Sequence, residues 1–153
     1  MKCPERFALL GIALGLAALP ACGDPESRRF EQRTTTDRGA VCLLPADTGL
    51  AVDVIFDVCL NDCVRADAAT CSAVVSADEV VVTSELTVTA ETTPGGVCVD
   101  LCALSRASCG IIQPEGESIR ITHGTSDSGL LPVPASVTEL FGAPPGACEV
   151  ADM

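Results

Sequence analysis

Val80-Val81-Val82-Thr83-Ser84-Glu85-Leu86-Thr87-Val88-Thr89-Ala90-Glu91 carries the clearest alternation in the chain. Val80, Val82, Leu86, Val88 and Ala90 share one parity, interrupted only by Ser84, while Thr83, Glu85, Thr87, Thr89 and Glu91 take the other. Successive side chains of a strand point to opposite faces, so the alternation predicts a strand with one face in a core and one in water. Upstream, Cys71–Ser76 predicts its partner across the polar turn Ala77-Asp78-Glu79. Further back, Leu50, Val52, Val54, Phe56 and Val58 form a second apolar row, with Ala51, Asp53, Ile55, Asp57 and Cys59 opposite. Downstream, Ser118–His123 alternates with Ile119 and Ile121 inward. A polar turn from Gly124 to Gly129 leads to Leu130-Leu131-Pro132-Val133-Pro134. Two prolines of equal parity remove N–H donors from one side, which predicts an edge strand. Short strands, frequent turns and little helical periodicity predict an all-β fold, a small antiparallel β-sandwich.

Cysteines are the second signal. Eight fall between Cys42 and Cys148, and they contain an internal echo. Cys59, Cys63 and Cys71 are spaced much as Cys98, Cys102 and Cys109, some 38 or 39 residues later. Disulfides are the expected state, since thiols of exported chains oxidise and zinc–thiolate sites belong mostly to reducing compartments. If equivalent cysteines play equivalent parts, Cys63–Cys71 and Cys102–Cys109 close local loops and Cys59–Cys98 ties the copies together. Cys42–Cys148 then joins the two ends of the domain. The paired triplets and the later Ile119-Arg120-Ile121-Thr122-His123-Gly124 hairpin make this part similar to cysteine-rich envelope lipoproteins of the myxobacterial type. That resemblance implies an envelope address and a β-rich fold, and brings no activity with it.

The N-terminus carries an address of its own. Lys2 and Arg6 precede a charge-free run from Phe7 to Ala21, the parts of a secretory signal peptide. Fifteen such residues fall short of the ~20 that a spanning helix needs. Leu19-Pro20-Ala21-Cys22 resembles the lipobox of bacterial lipoproteins, in which the cysteine is acylated and becomes the first residue of the mature chain. Parity agrees: of ten cysteines, Cys3 leaves with the signal and nine remain, so lipidating Cys22 leaves eight to pair. Gly23, rather than aspartate, follows Cys22, which points to the outer membrane, at its periplasmic face or at the cell surface. The expected organisation is a signal peptide over 1–21, lipidated Cys22 with a flexible tether over 22–41, and a cysteine-rich β domain over 42–153. Gly23 to Val41 has linker composition, and as a coil would span about 24 Å.

Charge narrows the partners. From Cys42 onward 16 acids face Arg65, Arg106 and Arg120, a net charge of −13. Such a surface repels nucleic acid and suits a solvated exported domain. From Cys42 on, the aromatic residues are Phe56 and Phe141, too few to make a stacking platform for bases or sugars. The membrane, through Cys22, is the expected partner, together with an envelope protein.

Catalytic patterns are sparse. His123 is the sole histidine, and its parity with Ile119 and Ile121 predicts a partly buried structural role. No Cys-x-x-Cys redox motif and no Gly-x-Ser-x-Gly elbow occurs. Asp53 and Asp57 share a strand face about 13 Å apart, beyond the span of glycosidase carboxylates. The expectation is a non-enzymatic structural or protein-binding role, without metal or cofactor. The alternatives are a disulfide-rich inhibitor presenting the segment Val64 to Thr70 as a rigid loop, and a weak calcium site among Asp57, Asp62, Asp67 and Asp100.

Overall fold

The computed structural model describes residues 28–93, 97–98, 101–142 and 147–148; the signal run, Cys22 and Asp100 lie outside them. Within the described residues the chain forms nine strands and no helix. They are β1 (Phe30–Thr36), β2 (Ala40–Ala46), β3 (Gly49–Leu60), β4 (Val64–Ser76), β5 (Glu79–Glu91), β6 (Ala103–Ile112), β7 (Ser118–His123), β8 (Ser126–Pro132) and β9 (Thr138–Leu140).

Two sheets result. The first is built on β5, the strand with the clearest alternation. β4 pairs with it antiparallel along its whole length, from Val64↔Ala90 to Ser76↔Glu79. Its other edge is shared: β1 runs antiparallel along Glu85–Glu91, and β7 runs parallel along Glu79–Val82. β8 follows β7 as an antiparallel edge strand, so Leu130 to Pro132 takes the edge position that the prolines predict. The second sheet has the order β6-β3-β2-β9, all antiparallel.

The sheets pack face to face, and the apolar parities meet between them. Val80, Val82, Leu86 and Val88 of β5 lie against Leu50, Val52, Val54 and Phe56 of β3, joined by Val41, Leu43, Ile119 and Ile121. Phe56 is the largest fully buried side chain, and trimming such a residue to alanine costs about 3–5 kcal/mol.

The second parity of β3 is not left to water. Asp53 and Ile55 are buried, because Cys148 is bonded to Cys42 of β2 on that outer face and covers it. Glu139 of β9 accepts a hydrogen bond from the Cys148 N–H at 3.0 Å. Arg106 of β6 holds the Asp53 carboxylate through two nitrogens, Nε at 2.8 Å. Among the described residues Asp53 Oδ1 has no partner.

The boundary of the tether is corrected by β1. Residues 30–36 lie in the stretch read as linker, yet they pair with β5 in unbroken register from Phe30↔Glu91 to Thr36↔Glu85. Almost every side chain of β1 is exposed, so the strand has no apolar parity to reveal it. The backbone ladder and cross-strand contacts such as Thr34–Thr87 (3.0 Å between hydroxyls) hold it instead.

Candidate functional site

All eight described cysteines are disulfide-bonded, as expected, but three of the four pairs differ from the expected scheme. Cys42–Cys148 is the pair that agrees; the others are Cys59–Cys102, Cys63–Cys98 and Cys71–Cys109. Each copy's first cysteine bonds the other copy's second, and third bonds third. The reason is direction. The β3–β4 corner and the approach to β6 meet antiparallel, as Cys59↔Leu104 and Leu60↔Ala103 record, so matching positions cross instead of stacking.

Cys59–Cys102 and Cys63–Cys98 lie at one pole of the sandwich, where β3 and β5 end and β1, β4 and β6 begin. Cys63 donates its N–H to Asn61 Oδ1, and its carbonyl accepts from Glu91 at 2.7 Å. Cys71–Cys109 lies further along and does a different job. β4 and β6 are the edge strands on the same side of the two sheets, and this bond draws their Cα atoms to 4.8 Å. Packed sheets normally stand about 10 Å apart, so the sandwich is pinched shut along that side.

On the neighbouring strand, where Ser84 pairs with Cys71, the other edge of β5 leaves two residues, Thr83 and Ser84, between β7 and β1. Asp37 fills the gap: its N–H donates to the Ser84 carbonyl, and its Oδ1 accepts from the Ser84 N–H, both at 2.9 Å. Doing so places Asp37 at φ 50°, a left-handed conformation that aspartate tolerates better than most residues. Ser84 Oγ meets His123 Nε2 at 2.8 Å on the inner face. His123 is buried, stacks on Phe141 with ring centroids 6.4 Å apart, and has a hydrogen bond with the Gly39 backbone. Burial pushes its pKa below the ordinary value, opposed by the Asp37 charge and the Gly39 bond. Gly39 (φ 106°) and Gly124 (φ 58°) let the backbones close in here: side chains at these positions would run into the carbonyls of Ile55 and Asp37.

A cleft of about 580 Å³ opens beside this joint, lined by Asp37, Asp57, His123, Thr125, Ser126 and Phe141 among others. Serine, histidine and aspartate in proximity invite comparison with a nucleophilic triad. The arrangement differs in two respects. The Asp37 carboxylate is bonded to the Ser84 backbone, where a triad would set it on the imidazole. The Ser84 hydroxyl is buried, facing the core side of β5. What the group does chemically is satisfy buried polar atoms where two strands end against a third.

The segment Val64 to Thr70 is strand β4, not a presented loop. The aspartates read as a calcium possibility are dispersed: Asp57 lines the cleft, and Asp67, on a β-bulge, accepts from Thr89 at 2.7 Å and Gln32 at 3.2 Å. Those two bonds hold the Asp67 carboxyl below the usual range. Asp62 approaches Cys63 and Cys98, whose sulfurs are spent on each other as a disulfide and offer no thiolate. Asp37 was hidden from sequence reasoning by its place in the apparent tether; the break at Ser84 and the lone inward histidine were the available signals.

No protein-family model, curated protein or solved structure matches the chain.

Proposed function

We propose that this protein is an exported lipoprotein of the cell envelope, anchored by lipid on Cys22 and carrying a rigid sandwich with a structural or protein-binding role. One observation carries the reading: the described domain consumes eight cysteines in four internal bonds, which leaves Cys22 as the single cysteine after the signal outside those bonds. In an oxidising compartment an unpaired thiol is a liability, and acylation removes it. Burial of Ser84 and His123 favours scaffolding over turnover. The outer-membrane assignment rests on Gly23 after Cys22.

The test is intact mass spectrometry of the membrane-extracted protein. The expected mass is that of a chain starting at Cys22 with acyl groups attached and eight hydrogens fewer than the reduced form. Cys22→Ser is expected to move the protein out of the detergent phase. A free N-terminus, or a wild-type protein in the soluble fraction, would overturn the proposal.

A further inference from the structure

The pole cross-linked by Cys59–Cys102 and Cys63–Cys98 also carries the most exposed apolar side chains of the described domain. Val97 is 92% exposed and Leu101 75%, followed at this end by Phe30 at 52% and Leu104 at 44%. Bonded contacts place them together. Phe30 pairs with Glu91, the Glu91 N–H donates to the Cys63 carbonyl, and Cys63 is bonded to Cys98 beside Val97. Leu101 precedes Cys102, which is bonded to Cys59 at the end of β3. Arg28 and Arg29 stand at the rim. Arg29 is tied to Thr92 and Thr93 through its backbone, and Arg28 reaches Glu91 at 3.5 Å with its side chain still 72% exposed.

This is also the pole at which the described chain begins. Arg28 follows Cys22 by six residues, so fully extended backbone could separate them by at most about 22 Å. An acylated Cys22 lies at the headgroup level, so this pole can stand no further than that reach from it. The opposite end of β5 stands about 40 Å away along the strand.

We infer that the sandwich docks end-on against the bilayer, with Val97, Leu101 and Phe30 entering the boundary between headgroups and acyl chains and Arg28 and Arg29 meeting lipid phosphates. The inference rests on lipidation of Cys22. It explains why the two most exposed apolar residues sit on a cross-linked end: held by Cys59–Cys102 and Cys63–Cys98, they enter lipid without a large ordering cost. The short reach also removes the freedom to float well clear of the surface that a nineteen-residue tether would give.

Because the chain has no tryptophan, single reporters are available. The full-length protein is produced in cells as Val97→Trp, Leu101→Trp and, as a control toward the far pole, Val74→Trp, which is exposed on β4. Each is reconstituted into phosphatidylethanolamine–phosphatidylglycerol vesicles containing acyl-brominated lipid, and the intact mass of the same sample is recorded. The expected result is loss of about half the emission at position 97, 101 or both, with position 74 unaffected, since interfacial residues bury ~5–10 Å into the boundary. Equal quenching at all three positions, or none at 97 and 101 with acyl mass present, overturns end-on docking and leaves lipidation standing. Absence of the acyl mass overturns both.

Discussion

Two neighbouring places in the sandwich, which meet where Cys71 of β4 pairs with Ser84 of β5, are held in opposite ways. Along β4 and β6 a covalent bond, Cys71–Cys109, pulls two edge strands together. Along the shared edge of β5 the closure is polar, built from Asp37, Ser84 and His123. A disulfide acts mainly by restricting the unfolded chain and is indifferent to pH over the ordinary range. A buried imidazole acts through the folded state and loses its advantage when it must take a proton. One molecule therefore holds itself together by one device that titrates and another that does not.

Breaking the covalent side should have the largest effect. The Cys71–Cys109 bond separates residues 38 apart, worth at most about 3.9 kcal/mol in the chain-entropy model. The overlapping Cys59–Cys102 and Cys63–Cys98 bonds reduce that figure. Cys71→Ser with Cys109→Ser should lower the urea midpoint equally at pH 7.5 and pH 5.5. A loss confined to one pH would mean that the bond supports the polar side as well.

On the polar side, Ser84→Ala removes the hydroxyl and leaves the buried His123 Nε2 without its partner, a cost of about 1–3 kcal/mol. The measurement is again urea denaturation. A neutral effect would mean that His123 finds water or another acceptor in the cleft.

The smallest effect is expected at His123 and depends on pH. The unfolded imidazole titrates near 6.5 and the folded one lower, so in the window below 6.5 the unfolded chain binds more protons. Stability contributed by His123 is therefore complete above that value and declines as pH falls through the window. His123→Gln should flatten this part of the stability profile, while Cys71→Ser with Cys109→Ser leaves its slope unchanged. An unchanged slope in His123→Gln would assign the acid sensitivity to carboxylates.

Much of the scaffold was legible because burial leaves a trace in composition. β5 and β7, and the core face of β3, alternate visibly, and the core is built from the predicted parities. β1 left no such trace, since Phe-Glu-Gln-Arg-Thr-Thr-Thr faces water on both sides and is held by backbone bonds. β6 was hidden by a register shift opposite Val52 and Asp53, which breaks its alternation at Cys109. The polar joint was half visible: Ser84 stands out as a break in β5, but its partners lie 47 residues before it and 39 after it in sequence. Cysteine identity is a property of the sequence, whereas cysteine pairing depends on which strands run against each other in space.

The crossed pairing has a consequence for how the molecule is made. Cys42, Cys59, Cys63 and Cys71 all bond to residues that come later than any of them: Cys148, Cys102, Cys98 and Cys109. A chain delivered N-terminus first thus exposes four thiols before the first correct partner arrives, and any bond made among those four is a wrong one. Oxidation in order of arrival would trap Cys42–Cys59 or Cys63–Cys71. Correct maturation therefore requires either that oxidation wait for the second half of the chain or that a disulfide isomerase undo the early products.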